Sequence, residues 1–326
     1  MEELERCGFF PSDNRVILEP LKAEEGKDAL GISITRRSIR VGEMSLEDTP
    51  PGFFTQTRLQ FARELVNIKR NTAAVGARFG FTAFMSILIG IIFFNVGTTD
   101  PTESLNLQSH FGALIIVLMS SMFGSAQPAL LAFPDERPVF LREYSTNHYS
   151  VISYFMSRFT IEAMLSATQI LLQVTITYFM IGFQARFGVF YAGVYMLAMA
   201  STAIAVMLGC AVEQPKLAQE MLPLLFVPQM LFSGFFVAPD LMPVWLRWAQ
   251  YLCSLTYAVR IVLVAEFQNC GGGDDLEASM ACNNLLKGVG ANPDDTWWYW
   301  LVLATLFIVF RSLALVVLRA KAIKFF

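Results

Sequence analysis

Few side chains in this sequence could carry covalent chemistry. There are only two histidines, His110 and His148, so a zinc-binding HExxH cannot occur. No Cys/His cluster has metal-ligand spacing. The string Gly271-Gly272-Gly273-Asp274 matches the GxGD of some intramembrane aspartyl proteases. It stands in a polar loop, however, and no Tyr-Asp pair lies in any apolar run. No stretch reads GxxxxGK followed by Ser or Thr, so no phosphate-cradling loop of that type is present. Neither a catalytic nor a metal-ligating set is expected. What remains is charge in apolar surroundings. Arg158 and Glu162 stand four apart at the start of one apolar run, a spacing that lets them pair on one helix face. Arg311 lies well inside the last run. It is expected to snorkel to the nearer interface or to reach Glu162. Cys270 and Cys282 are the only close cysteine pair. A disulfide between them would stabilise the loop by about 3 kcal/mol if it faces an oxidising compartment. Cys7, Cys210 and Cys253 are expected to be free thiols.

These residues must be positioned by membrane helices. Of 326 residues, 55% are apolar and 16% charged, with 29 Phe and 21 Gly. A typical soluble domain is about 25% charged, so the composition excludes soluble, disordered, collagen-like and disulfide-scaffold classes. The net charge of −3 gives no reason to expect nucleic acid. Half of the 24 Lys and Arg lie in the first 78 residues, a water-exposed segment. A bilayer core of about 30 Å needs roughly 20 apolar residues per helix. Six runs approach that length: 79–96, 111–133, 159–183, 188–212, 221–237 and 297–318. A seventh stretch, 245–267, carries Arg247, Arg260 and Glu266 and reads as a re-entrant or interfacial pair of short helices. Ahead of the first run, Phe61, Leu65, Ile68, Thr72 and Val75 recur at helical spacing. This predicts an amphipathic helix lying along the membrane, bounded upstream by Pro50-Pro51. A GxxxG at Gly76–Gly80 could help helices approach.

Orientation follows from the basic residues. With six spans and both termini inside, 12 of the basic residues from Arg58 onward fall inside and 4 outside. The cytosolic loop after the second run holds Glu136, Arg137, Arg142 and Glu143 between Pro134 and Tyr144. Its 139–147 part can form one or two helical turns, and its mixed charges suit docking of a cytosolic partner. No repeat relates 79–183 to 188–318, as an inverted-repeat secondary transporter would require.

Three sets of residues, in order, resemble a known family. The first is Glu136-Arg137-Pro138-Val139-Phe140-Leu141-Arg142-Glu143-Tyr144, followed by Tyr149-Ser150 and Ser153-Tyr154-Phe155. The second is Leu231-Phe232-Ser233-Gly234-Phe235-Phe236. The third is Trp245-Leu246-Arg247-Trp248 with Ser254-Leu255-Thr256-Tyr257-Ala258 and Glu266-Phe267. From about residue 53 onward the chain resembles the ABC-2 type transmembrane domain of G-subfamily ABC exporters, the White and pleiotropic-drug-resistance type.

The resemblance implies an all-α integral membrane fold of six transmembrane helices. It implies a cytosolic segment 1–52, an amphipathic connecting helix 53–77 and a membrane domain 78–326 with an outer loop 238–296. Segment 139–147 would be the coupling helix, with Glu136 in the cytosolic polar contact network. Ile116, Ser120 and Phe123, with Val227 and Met230, would line a substrate cavity, and Phe235 and Phe236 would plug its exit. Cys270 and Cys282 would belong to a disulfide-bearing outer loop. Cargo would be lipid, sterol or an amphipathic xenobiotic. The chain would not be an enzyme on its own. ATP and Mg would be bound by a nucleotide-binding domain, which the family carries ahead of the membrane domain and these 326 residues do not supply. Partners would be that domain or a full-length half-transporter, a second copy or related chain, and lipid. The membrane would be the plasma membrane or that of an organelle. The other reading is a non-pumping, truncated or regulatory partner of a full-length half-transporter.

Overall fold

The computed structural model describes residues 52–98, 104–145, 151–212, 214–237, 242–267 and 276–324. All of them belong to one compact unit, Thr49–Phe326. They are helical, with no strand among the described residues. In chain order the helices are α1 Phe53–Arg70, α2 Thr72–Ile92, α3 Ser104–Ser145, α4 Val151–Ile181, α5 Phe187–Ala211, α6 Pro215–Phe232, α7 Ser254–Phe267, α8 Leu276–Val289 and α9 Thr296–Lys324. Five stretches are long and apolar enough to cross a membrane: Thr72–Ile92, Leu105–Pro134, Val151–Ile181, Phe187–Ala211 and Pro293–Lys321.

The run expected at 221–237 differs. It is α6, an 18-residue helix with Pro223 and Pro228 inside it. At 1.5 Å per residue it spans about 27 Å, and each interior proline removes a backbone donor. Lys216 and Glu220 in its first turns lower its hydropathy further. The expected interfacial stretch after it also differs. It does form two short helical pieces, Arg247–Leu252 and α7. Yet α7 does not lie on a surface: of its 14 residues only Arg260 and Ala265 are partly exposed. It is enclosed because α3, α5, α6 and α9 all pack on it.

Two more boundaries are corrected. The connecting helix ends at Arg70, short of the expected 77. Asn71 closes α1 and its side chain accepts from the Ala74 amide at the start of α2 (3.4 Å). The charged loop expected at 133–144, with one or two helical turns in 139–147, is instead continuous with the helix before it. α3 runs unbroken for 42 residues, through Pro128, Pro134 and Pro138, to Ser145.

α5 is the centre of the bundle, flanked by α3, α9, α7 and α4. Lipid is as apolar as the core, so close van der Waals packing holds these helices rather than water exclusion. Small residues permit it. A Cβ built on Gly209 would stand 2.6 Å from the Leu130 carbonyl oxygen of α3, so only glycine allows that approach. Gly76 and Gly80 have nothing within 4 Å, so their GxxxG makes no helix contact among the described residues.

Candidate functional site

Ile116, Ser120, Phe123 and Gln127 fall at steps of four, three and four along α3, which puts them on one helix face. All are partly or fully exposed while Leu114, Ile115, Leu118 and Met122 behind them are buried. This face borders a cavity of about 320 Å³ between α2, α3 and α4, where Ser120, Phe123 and Gln127 meet Phe81, Met85 and Ser86. Its walls mix apolar surface with hydroxyls and amides, the character of sites for amphipathic molecules. Phe123 also packs edge-to-face on Phe226 of α6, with centroids 5.3 Å apart. Val227, the next residue, is 48% exposed, and Met230 packs on the main core. Ser120 and Phe123 thus share one cavity, and Phe123 meets α6 beside Val227. Ile116, exposed on the same face, and Met230 do not line that cavity.

Phe235 and Phe236 follow the end of α6. Gly234 has φ +88°, the left-handed region that favours glycine, and turns the chain there. Phe235 then packs on Phe111 of α3 (5.2 Å) and on Phe236 (4.9 Å), both edge-on. Phe236 stays more than half exposed. The turn is tied to α7: the Thr256 hydroxyl donates to the Phe232 carbonyl (3.1 Å), and Ser254 to Gln229 (3.0 Å).

A third feature begins at Arg158 and Glu162, and its continuation escaped the sequence reading. Arg158, Glu162, Ser166, Gln169, Gln173 and Thr177 step by four, four, three, four and four along α4 and form one polar face inside the bundle. Gln169, Gln173, Ser166 and Thr177 are all buried. The Arg78 guanidinium of α2 donates to Glu162 (3.0 Å), Ser166 (3.1 Å) and Gln169 (2.6 Å). Gln169 donates to the Thr82 hydroxyl (3.0 Å) and the Gly124 carbonyl (3.1 Å). Gln173 donates to the Val117 carbonyl (3.1 Å) and to Ser120 (2.6 Å), a residue of the cavity wall.

The expected Arg158–Glu162 pair does not form. Arg158 bonds Glu64 of α1 at 2.5 Å, and Glu162 goes to Arg78. Each acid finds a guanidinium on a neighbouring helix because their shared face is packed against other elements rather than open. Thr57 and Ser153 add a second hydroxyl link between α1 and α4 (2.9 Å). Glu64 is the one buried residue of α1, whereas Leu59, Leu65 and Val66 are exposed, so the helix turns its charge inward. Arg311 does not bond Glu162. It lies over the rings of Phe155 (4.9 Å) and Phe159 (4.8 Å).

At the other end of the bundle the buried Glu266 carboxylate accepts the Gln184 and Ala185 amides, both at 2.8 Å. This anchors α7 to the α4–α5 turn. His110 Nε2 stands 3.0 Å from a Glu266 oxygen but off the line of a hydrogen bond.

Glu136, Arg137, Arg142, Glu143 and Tyr144 lie on the C-terminal part of α3, and their side chains lie outside the described residues. Cys270 also lies outside them. Cys282 is disulfide-bonded, and Cys210 and Cys253 are free. Burial pushes the Cys253 thiol up to about 12, so it stays protonated at neutral pH.

Residues 55–267 match the family described as ABC-2 type transporter. Among curated proteins, ABC transporter G family member 1 of Dictyostelium discoideum is 25% identical over 291 residues, covering 83% of this chain and 36% of its own length. Protein white of Drosophila melanogaster is 28% identical over 279 residues, covering 83% and 40%. The bovine broad substrate specificity ATP-binding cassette transporter ABCG2 is 24% identical over 267 residues, covering 77% and 40%. The chain therefore spans about two fifths of the length of these relatives.

Proposed function

The chain belongs to the ABC-2 type transporter family, and from that premise we propose that it is the membrane-spanning part of a G-subfamily ATP-driven exporter of lipids, sterols or other amphipathic molecules. One observation carries the reading: the α3 face of Ser120, Phe123 and Gln127 borders a cavity of mixed polarity. Five residues before Ile116 on the same helix, Phe111 meets Phe235. Apolar cargo would rest against Phe81 and Phe123 while its polar group meets Ser120 or Gln127. Phe235 and Phe236 would close the way out. That one relative is named for broad substrate specificity agrees with walls of this adaptable kind.

In this reading α6 is a fifth crossing, residues 238–296 lie outside, both termini are cytosolic, and two copies or this chain and a relative enclose the path. ATP and Mg are bound by a nucleotide-binding domain outside these residues, which pushes on the C-terminal part of α3 around Glu136–Tyr144. Glu64–Arg158 and Thr57–Ser153 would carry motion of α1 into α4. From there the polar face of α4 leads to Ser120.

The test is reconstitution in liposomes with an ATP-hydrolysing G-subfamily partner and a fluorescent sterol or phospholipid. ATP-dependent export that falls when Phe123→Ala is introduced supports the reading. Recovery of the chain without any ATP-binding partner, and no transport, would favour the non-pumping alternative.

A further inference from the structure

The cavity between α2, α3 and α4 has a wall whose hydrogen-bond donors are almost all spent. The Thr82 hydroxyl donates to the Arg78 carbonyl (2.9 Å), Ser86 to the Thr82 carbonyl (2.7 Å) and Ser120 to the Val117 carbonyl (2.9 Å), each within its own helix. Gln173 spends its amide N–H groups on the Val117 carbonyl (3.1 Å) and on Ser120 Oγ (2.6 Å). A backbone carbonyl can only accept, so the amide nitrogen must face Val117 and Oε1 must point away from it. Gln173 is 3% exposed and lines the cavity. Among the described residues nothing donates to its Oε1.

What this wall offers a guest is therefore lone pairs, on Gln173 Oε1 and on the Ser86 and Ser120 hydroxyls. Gln127, which is exposed, is the one lining side chain with unspent N–H donors. Phe81, Met85 and Phe123 supply apolar surface, and no ionisable side chain lines the cavity. The nearby Arg78 guanidinium is taken by Glu162, Ser166 and Gln169. An oxyanion, a ketone or an ether brings only acceptors and would set lone pair against lone pair. An ammonium brings donors, but no carboxylate in the wall balances its charge. A neutral hydroxyl brings one donor and no charge.

We propose that this cavity selects a neutral, apolar alcohol, and that Gln173 Oε1 accepts the hydrogen bond of its hydroxyl. Ser120 and the Val117 carbonyl hold the amide in the orientation that does this. A volume of about 320 Å³ takes the hydroxyl end of a rigid ring system or of a long chain. The inference rests on the reading of this cavity as the cargo site and adds the polarity of the group it recognises.

The test measures saturable binding to the full chain in detergent by scintillation proximity, with no ATP and no partner. The probes are tritiated cholesterol and hexadecanol, each paired with its methyl ether, which keeps the body and loses the donor. At least one alcohol is expected to bind about ten-fold more tightly than its ether, and the pair that does so tells ring from chain. Gln173→Leu is expected to bring that alcohol down to the affinity of its ether and to leave the ether unchanged. Phe123→Ala is expected to weaken both members alike. Should Gln173→Leu not fold, the wild-type ratio and Phe123→Ala still decide. No saturable binding of either alcohol, equal affinities within both pairs, or an alcohol preference that survives in Gln173→Leu would overturn the inference. So would an equal loss of alcohol and ether in Gln173→Leu, the mark of a merely structural residue. Absent ATP-driven export in the reconstituted liposomes, with the alcohol preference intact, would sink the transport reading alone.

Discussion

Arg78→Met tests the polar face of α4 directly. It removes the one cation that donates to Glu162, Ser166 and Gln169 at once. Arg78 and Glu162 are 11% and 15% exposed, so water cannot take over fully. Stripping one member from a buried pair leaves an uncompensated charge and costs about 3–5 kcal/mol. At about 2.1 cal/mol/K of unfolding entropy per residue, a chain of 326 residues loses roughly 1.5 °C per kcal/mol, so the midpoint is expected to fall by about 4–7 °C. Glu162→Gln keeps an amide acceptor for Arg78 and loses less, about 1–2 kcal/mol. The double substitution removes both charges, so it should lose less than the sum of the singles, with a coupling of about 1–3 kcal/mol. The assay is thermal unfolding in detergent, followed by a thiol-reactive dye. Cys210 and Cys253 are free and buried, so they label only as the bundle opens. Additive single effects, or a loss under about 1 kcal/mol for Arg78→Met, would refute the view that this network is a coupled, buried ion pair.

Gly209→Val should lower the unfolding midpoint, because its Cβ meets the Leu130 carbonyl at 2.6 Å and overpacking costs about 1–3 kcal/mol. Gly76→Ala and Gly80→Ala, facing open space, should leave the same midpoint unchanged. Glu266→Leu orphans the Gln184 and Ala185 amides and should speed their hydrogen exchange, with a stability loss of about 1–3 kcal/mol per buried donor left unpaired; unchanged protection at the α4–α5 turn would count against the anchor. In the reconstituted complex Phe235→Ala should raise ATP hydrolysis or leak without transport, since it removes the contacts to Phe111 and Phe236; intact coupling would argue against the plug.

The helices at 72–92, 187–211 and 296–324 were legible because long apolar runs admit little but a spanning helix. The α6 region was harder to read. Its residues are apolar enough to count as a run, but the helix is Pro215–Phe232, which begins six residues before that run, takes in the charges at 216 and 220 and carries Pro223 and Pro228 inside it. The continuity of α3 past Pro134 was hidden for the opposite reason, since proline normally ends a helix. At the site, Ser120 and Phe123 line one cavity, and helical spacing alone had put them on one face. Pairing was not legible. Spacing places Arg158 and Glu162 on one face, but it cannot say that Glu64 and Arg78 on other helices compete for them and win. The polar face of α4 had a readable signal in Ser166, Gln169, Gln173 and Thr177 at helical steps. It was missed because each residue is uncharged and sits inside a run that reads as apolar.

The contacts divide the bundle into joints of two kinds. α2, α3 and α4 are joined by directed bonds: Arg78 to Glu162, Gln169 to Thr82 and to the Gly124 carbonyl, Gln173 to Ser120 and to the Val117 carbonyl. A shift of one residue along any of these helices would break several bonds and strand buried polar groups, each at about 1–3 kcal/mol. The three therefore move as one block. Phe123–Phe226 and Phe111–Phe235, the ring contacts between α3 and the segment from α6 to Phe235, are both edge-on. Ring contacts are worth about 0.5–1.5 kcal/mol each and tolerate offset, so this seam can slide with little loss. Val227 borders it and Phe235 stands at one end, so in the proposed exporter a push on the end of α3 would be relieved along this seam rather than inside the polar block.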